Sequence, residues 1–214
     1  MARGYMLAFC GLDCSGKSSV IDALYQKGVF SEQEKLLYHP PEEWRQNRRV
    51  LAAVLDGEGE KMPDSEEVLF TRDLRMKLQP ELIRQLQSGK NLIFHRYIFS
   101  LFTYYAGSRT LAMDWVRAQN EGLLCPDEVI YLRISEAEFR RRSVQKPAIP
   151  FQQIPGFVPR MIECYDRLAE EFSWKIVDTE KLNLTQTVQQ CAEIIGAIDT
   201  EKPLRLLDGR PVPG

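Results

Sequence analysis

GLDCSGKS, residues 11–18, is the stretch of this 214-residue chain that decides its fold. It matches the pattern G-x-x-x-x-G-K-[ST] at every fixed position. The apolar residues 5–10 precede it as a buried strand would, and residues 18–24 follow it with helical spacing. Glycines let the backbone curl so that several N–H groups face one anion, and the positive end of the following helix adds to the attraction. The stretch therefore predicts a loop that binds the phosphates of a nucleotide.

Individual residues of this loop are predicted to have separate roles. Lys17 is expected to reach the β and γ phosphates of ATP, and Ser18 is expected to ligate Mg²⁺. The other contacts to the nucleotide are expected from Gly11, Asp13, Cys14, Ser15, Gly16 and Ser19. ATP and Mg²⁺ are thus the predicted cofactors.

Composition narrows the class of protein. The chain is 44% hydrophobic and 27% charged with a net charge of -2, which predicts one folded core and gives no basic surface for nucleic acid or membrane. Its five cysteines are scattered without a C-x-x-C pair, so neither a disulfide framework nor a zinc site is predicted. Residues 1–4 run directly into the first predicted strand, which leaves no room for a secretory leader. We expect a cytoplasmic protein whose partner is a small nucleotide.

Strand and helix patterns alternate along the chain. Strands are predicted at residues 5–10, 35–39, 91–95, 128–134 and 174–178. Helices are predicted at 18–27, 42–55, 64–86 with a kink or split at Pro80, 99–105, 113–119, from the N-cap Ser135 onward, 157–172 and 184–198. This order predicts an α/β fold, a three-layer sandwich with a five-stranded parallel sheet between helices, and ligands at the carboxyl ends of the strands. Residues 1–200 are expected to form a single domain with a lid near 140–156, followed by a loose tail at 201–214.

The remaining motifs favour a small-molecule kinase over other nucleotide-binding proteins. A GTPase needs a guanine-reading N-K-x-D segment, and the sequence contains none. A kinase needs a mobile basic lid that neutralises charge during phosphoryl transfer. Residues 140–142 are three consecutive arginines, and a proline-rich stretch follows them, as expected of such a lid.

Several segments in the same order resemble the thymidylate kinase family. Residues 9–18 resemble its opening F-E-G-L-D-G-A-G-K-S, residues 68–70 its L-L-F segment, residues 95–100 its D-R-Y-x-x-S segment, residues 120–132 its G-L-x-x-P-D…YLD stretch and residues 174–179 its last strand. The resemblance covers nearly the whole chain. It implies a P-loop NTPase fold and a nucleoside monophosphate kinase that transfers the γ-phosphoryl group of ATP to dTMP or a similar nucleotide.

The same resemblance implies roles for individual residues. Asp13 would contact the acceptor sugar, Phe70 would stack on the acceptor base and Arg96 would hold the acceptor phosphate. Arg142 and Thr179 would lie beside the donor adenine. The cation that stabilises the transition state would come from the lid, where Arg140, Arg141 and Lys146 are available. Further acceptor contacts are expected from Arg45, Arg72, Arg75, Tyr97 and Tyr105, and the family suggests a homodimer packed through helices.

Three departures from the family pattern leave the acceptor open. The aspartate of D-R-Y is His95 here, and the arginine expected four residues after Phe70 is Leu74, with Arg72 or Arg75 as substitutes. The family's segment with an acceptor-phosphate arginine becomes residues 39–45, where Arg45 is displaced from the usual site. The alternatives are a kinase for an unphosphorylated nucleoside or another monophosphate, or a nucleotide-binding protein that has lost catalysis. His95 itself is interpreted as a packed histidine at a strand end, because phosphoryl transfer does not require a base with a pKa near 7.

Overall fold

A computed structural model describes residues 2–31, 35–38, 64–144 and 154–213. Its sheet has five strands, all parallel, in the order β2-β3-β1-β4-β5. The strands are β1 Met6–Cys10, β2 Lys35–Tyr38, β3 Leu92–His95, β4 Glu128–Arg133 and β5 Lys175–Asp178. The predicted fold class and strand number are confirmed, and each strand lies within about one residue of its expected position.

Seven helices within the described residues connect and cover the strands. They are α1 Lys17–Gln26, α2 Asp64–Gln87, α3 Phe99–Ser108, α4 Met113–Ala118, α5 Glu136–Ser143, α6 Phe157–Glu171 and α7 Leu184–Gly196. Ser135 is the N-cap of α5, as predicted, since its side chain accepts a hydrogen bond from the Glu138 amide. The predicted helix at 42–55 and the strand residue His39 lie outside the described residues.

The central strand β1 shows why the architecture has three layers. All five of its residues are buried, and successive side chains point to opposite faces of the sheet. Met6, Ala8 and Cys10 join the core formed with α2, α3, α4 and α6. Leu7 and Phe9 join the other core, which α1 and α7 cover. An apolar run buried on both faces is typical of a parallel sheet enclosed by helices.

Two helices continue through a residue that disfavours helix. Helix α2 runs through Pro80 as one element of 24 residues, so the predicted split is wrong. Proline removes the hydrogen bond to the carbonyl of residue 76, and Met76 is 38% exposed, so water can replace the lost donor. Helix α3 likewise continues through Gly107 to Ser108. Gly107 is buried, and an added Cβ would lie 3.1 Å from the Phe157 ring, so a side chain would separate α3 from α6.

The C-terminal segment is docked, which corrects the prediction of a loose tail. Leu206 forms an antiparallel bridge with Leu124, and the Cys125 amide donates to the Arg205 carbonyl. Leu204 is only 7% exposed and belongs to the core beneath α2. The segment is rich in charge and turn residues, so its few anchoring apolar side chains gave a weak signal. None of the described helices is long and apolar enough to cross a membrane.

Candidate active site

The phosphate loop lies at the carboxyl end of β1, where the chain turns into α1. Gly11 has a φ of 136°, and an added Cβ would lie 2.4 Å from the Leu132 carbonyl oxygen. Gly16 has a φ of 94° immediately before the first helical residue, and Cys14 has a φ of 62°. These left-handed residues curl the loop around its own amides at the helix N-terminus, which is the geometry that binds an anion.

Lys17 is buried within the loop. Its ammonium group donates to the carbonyl oxygens of Leu12 at 2.6 Å and Gly11 at 3.1 Å, and to Ser15 Oγ at 3.3 Å. Burial, followed by the positive charge of Arg96, lowers the pKa of Lys17 well below its ordinary value. The ammonium therefore lies in a position where negative phosphate oxygens would stabilise its charge.

Asp13 and Arg96 join the phosphate loop to the end of β3. Arg96 Nη2 lies 2.5 Å from Asp13 Oδ1, and Nη1 donates to the Gly11 carbonyl at 2.8 Å. Arg96 directly follows β3 with a left-handed φ of 68°. Burial acts to lower the pKa of Arg96, but the Asp13 carboxylate and Tyr165 outweigh it and the pKa is raised. Arg96 is therefore held as a fixed cation beside the loop.

Tyr165, on α6, supports this arginine, and the sequence reasoning missed it. Its hydroxyl lies 3.1 Å from Ser100 Oγ, 3.4 Å from the Gly11 carbonyl and 3.5 Å from Arg96 Nη1. The ring is fully buried and stacks on Tyr131 at 5.1 Å between centroids. A tyrosine on the apolar side of an amphipathic helix gives no signal that separates this role from simple packing.

His95 and Ser18 meet at the mouth of the same site: His95 ends β3, as predicted, but it lines the cleft and is not fully packed in the core. His95 Nε2 lies 3.1 Å from Ser18 Oγ. His95 is half-buried because it is the last residue of β3, where the sheet ends and the cleft begins. The cleft has a volume of about 270 Å³ and is lined by Asp13, Cys14, Gly16, Lys17, Ser18, Ser19, His95 and Arg142.

Arg142 closes the other side of this cleft. It donates to the Thr179 carbonyl at 2.6 Å and to the Cys14 carbonyl at 3.3 Å, and it pairs with Glu138. Thr179 in turn donates to the Ser15 carbonyl at 3.0 Å. Hydrogen bonds from Arg141 and Arg142 lower the pKa of Glu138 to about 2. The predicted neighbourhood of Arg142, Thr179 and the phosphate loop therefore exists as one connected network.

The two other lid arginines lie outside the cleft. Arg140 pairs with Glu136 and Arg141 with Glu138, each within α5, and their side chains are 61% and 71% exposed. The expectation that they face the transferring phosphate is not met in this structure, because acidic residues one helical turn earlier attract them. Lys146 lies outside the described residues.

The predicted acceptor contacts separate into two groups. Phe70 and Arg72 are half-buried on α2, and Arg72 lies 3.4 Å from Asp73. Arg75, Tyr97 and Tyr105 are buried, with exposed fractions of 6%, 4% and 0%, so they are core residues here rather than an open surface for a base. Arg45 lies outside the described residues.

Hydrogen bonds fix the two buried tyrosines, and burial shifts the pKa of Arg75 and of Tyr97. The Tyr97 hydroxyl donates to the Leu124 carbonyl at 2.8 Å, and the Tyr105 hydroxyl donates to the Asp64 carbonyl at 3.2 Å. Burial lowers the pKa of Arg75 to about 10, and burial raises the pKa of Tyr97. Sequence periodicity places Arg75 and Tyr105 on helices but does not say which side of each helix faces the site.

The fold and this cleft define the class of protein. A parallel sheet of order 2-3-1-4-5 with a phosphate loop after its central strand is that of a P-loop nucleotide-binding protein, and the arginines around the loop are those of a phosphotransferase. Residues 9–191 match the thymidylate kinase family, and the chain belongs to that family.

Individual relatives agree with this family. The chain is 26% identical to human thymidylate kinase over 94% of this chain and 96% of the relative. It is 26% identical to the thymidylate kinase of Caldanaerobacter subterraneus over 82% of this chain and 86% of the relative. The solved thymidylate kinase of Candida albicans superposes with a TM-score of 0.76 at 21% identity, covering 97% of this chain and 99% of that one. That of Ehrlichia chaffeensis has a TM-score of 0.66 at 15% identity, covering 91% and 99%. These structural matches support the fold.

The donor atoms of the cleft decide how a magnesium ion fits. Ser18 offers one hydroxyl oxygen, and His95 offers a nitrogen. The Asp13 carboxylate already accepts a hydrogen bond from Arg96. The described residues contain no group of three or more His, Cys, Asp or Glu side chains that could hold a metal. Mg²⁺ usually keeps several waters and takes substrate phosphate oxygens with only one or two protein ligands. The residues present therefore fit a cation carried by a nucleotide, with Ser18 as its hard protein ligand.

Proposed function

We propose that this protein transfers the γ-phosphoryl group of ATP to dTMP, giving dTDP and ADP, with Mg²⁺ bound to the donor. Family membership supports ATP as the donor and a nucleotide as the acceptor. The single observation that carries the proposal is the cleft at the phosphate loop, which is lined by Lys17 and Ser18 of the loop and by Arg142, with Arg96 paired to Asp13 at its edge. Phosphoryl transfer needs this combination of positioning and positive charge more than it needs a nucleophile or a strong base.

The donor side of the reaction is assigned to the loop. Its amides and Lys17 would hold the β and γ phosphates, while Gly11, Cys14, Ser15, Gly16 and Ser19 shape the cradle. Ser18 would ligate the divalent cation, which supplies charge neutralisation when bound. Arg142 and Thr179 would lie against the adenine, since both contact the loop from the side of β5.

The acceptor side is assigned to the opposite edge of the loop. Arg96 would bind the phosphate of the acceptor, and Asp13 would bind its sugar hydroxyl. When the acceptor enters, the 2.5 Å ion pair between Arg96 and Asp13 would break or would persist beside the new contacts. Phe70 would stack on the base, and Arg45 and Arg72 would contribute further contacts to the acceptor. For Arg75, Tyr97 and Tyr105 we propose supporting roles beneath this surface, because they are buried.

The remaining charge is assigned to the lid near 140–156. Arg140 and Arg141 would leave their pairs with Glu136 and Glu138 to face the transferring phosphoryl group. Exposed ion pairs within one helix are weak in water, so a triphosphate can displace them. We further propose one kinase domain over residues 1–200, a cytoplasmic location and a homodimer.

A substrate screen tests the proposed function. Purified protein is given ATP and Mg²⁺ with dTMP, other nucleoside monophosphates or thymidine, and ADP release is measured. We expect turnover with dTMP to exceed that with thymidine, because Arg96 has no phosphate to bind in a nucleoside. Turnover with another acceptor while dTMP is inert would favour the alternative raised by His95 and Leu74. ATP binding without transfer to any acceptor would contradict catalysis altogether.

A variant identifies the acceptor side. Arg96→Ala is expected to raise the KM for dTMP by at least about tenfold while changing the KM for ATP little, because a lost charged hydrogen bond is worth about 1.5–3 kcal/mol. Arg109→Ala is the matched control, since Arg109 also has a left-handed φ, of 59°, but is exposed after α3. Equal effects on both KM values would contradict the assignment.

A further inference from the structure

His95 and Ser18 present a nitrogen and an oxygen side by side at the mouth of the phosphate cleft. His95 Nε2 and Ser18 Oγ are 3.1 Å apart, although the two residues are 77 positions apart in the chain. The position of His95 follows from the sheet, because Phe9 of β1 pairs with His95 of β3 in parallel register. Ser18 lies in the first turn of α1, directly after Lys17. The pair is therefore built from two rigid elements rather than from a loop.

The spacing of these two atoms suits neighbouring positions around one cation. Small divalent ions such as Mg²⁺ and Zn²⁺ hold nitrogen and oxygen ligands at about 2.0–2.2 Å, so adjacent ligands of an octahedral ion lie roughly 3 Å apart. A hydrogen bond has the same separation. A cation that replaces the hydrogen-bonded proton between Ser18 Oγ and His95 Nε2 could therefore bind both atoms without a change in their separation.

We propose that His95 Nε2 ligates the nucleotide-bound divalent cation beside Ser18 Oγ, and that the site consequently favours a first-row transition ion such as Mn²⁺ over Mg²⁺. This inference rests on the proposed function, since it requires a nucleotide on the phosphate loop. Imidazole nitrogen is a good ligand for first-row transition ions, whereas Mg²⁺ prefers oxygen.

The surrounding charges explain why the nucleotide is required. Lys17 and Arg142 line the same cleft and repel a free cation, and the Asp13 carboxylate is bonded to Arg96. The negative charge that holds the cation must therefore come mainly from phosphate oxygens. We expect tight binding of the metal with ADP or ATP present and weak binding without them.

A spectroscopic experiment tests the ligand directly. The full-length protein is loaded with Mn²⁺ and ADP, and electron spin echo envelope modulation measures coupling of the manganese to nitrogen. We expect an imidazole ¹⁴N signal in the wild type that changes to ¹⁵N when the protein is labelled with ¹⁵N-histidine. The chain has two histidines, so His39→Gln is the matched control that retains the signal, and His95→Asp loses it.

Metal affinity gives a second measurement. The ratio of Mn²⁺ to Mg²⁺ affinity of the ADP complex is expected to fall by about tenfold in His95→Asp, because a nitrogen ligand that suits transition ions is exchanged for a carboxylate oxygen. The carboxylate of this variant supplies the hard oxygen that Mg²⁺ prefers. An unchanged ratio would contradict the proposed preference.

The outcomes separate this inference from the proposed function. If Mn²⁺·ADP binds and the protein phosphorylates dTMP but shows no imidazole coupling, His95 is not a ligand and the kinase assignment stands. If the signal persists in His95→Asp, its source is elsewhere and the inference is wrong. If no nucleotide binds at all, both are wrong. Should His95→Asp fail to fold by circular dichroism, the labelled wild type still decides, because the presence or absence of its imidazole coupling does not depend on the variant.

Discussion

Replacing Lys17 by methionine separates catalysis from folding. The change keeps most of the aliphatic side chain and removes the ammonium group, which donates to the Leu12 and Gly11 carbonyls and to Ser15 Oγ. All three acceptors are neutral, and the ammonium group is buried. Its charge therefore serves the ligand more than the fold.

The size of both effects can be worked from these contacts. Removing one preorganised charge donor from a transferring group costs about 2.7–4 kcal/mol, or roughly 10²–10³ in turnover. For stability, hydrogen bonds to a charged group contribute about 1.5–3 kcal/mol, while burying that charge costs several kcal/mol. These contributions oppose each other, so we expect the free energy of unfolding of Lys17→Met to stay within about 2 kcal/mol of the wild type.

Two assays measure the effects of Lys17→Met on turnover and on stability. Turnover is followed as ADP release with dTMP and ATP, and stability is followed by urea unfolding. Lys27→Met is the matched control, because Lys27 lies exposed at the other end of α1 and should change neither quantity. Turnover of Lys17→Met within tenfold of the wild type would refute the donor assignment. Loss of cooperative unfolding would show that Lys17 is structural instead.

Three further predictions concern other parts of the molecule. Tyr165→Phe keeps the ring stacked on Tyr131 but removes the hydroxyl that accepts from Arg96 at 3.5 Å. The KM for dTMP should rise by about three- to tenfold, since so long a hydrogen bond contributes roughly 0.5–1.5 kcal/mol, with kcat less affected. Burial lowers the pKa of Lys17, and bound phosphates would raise it again. ATP binding should therefore take up protons at alkaline pH, between the lowered pKa of Lys17 and its ordinary value of 10.5. Calorimetry in buffers of different ionisation enthalpy measures this proton uptake. Deleting residues 201–214 exposes the site that Leu204 fills and should lower the free energy of unfolding by at least about 2 kcal/mol in urea, since one buried leucine contributes about that much.

Each of these predictions has a contrary result. Tyr131→Phe is the control for Tyr165→Phe, and equal effects of the two variants would point to ring packing rather than to the hydroxyl. Proton uptake that survives in Lys17→Met would assign it to another group. A truncated chain as stable as the full one would mean that the C-terminal segment adds nothing by docking at Leu124.

Much of the fold follows from local patterns. The strand at 128–134 and the N-cap at Ser135 are predictable because a short apolar run and a capping side chain are both signals contained within a few residues. Pro80 is the instructive failure: proline disfavours a helix interior, but packing of α2 on the core outweighs the one missing backbone hydrogen bond. The docked C-terminal segment was missed for the opposite reason, since the bridge that anchors it, between Leu206 and Leu124, joins residues far apart in the chain.

The candidate site also has a part that the sequence predicts and a part that only the tertiary structure shows. The sequence by itself determined the phosphate loop, its lysine and its serine, because that chemistry is contained in eight consecutive residues. Only the tertiary structure decided that His95 meets Ser18, that Arg96 pairs with Asp13 and that Tyr165 reaches Gly11. These contacts join residues 77, 83 and 154 positions apart. They depend on strand order and register, which the spacing of apolar residues along one chain does not encode.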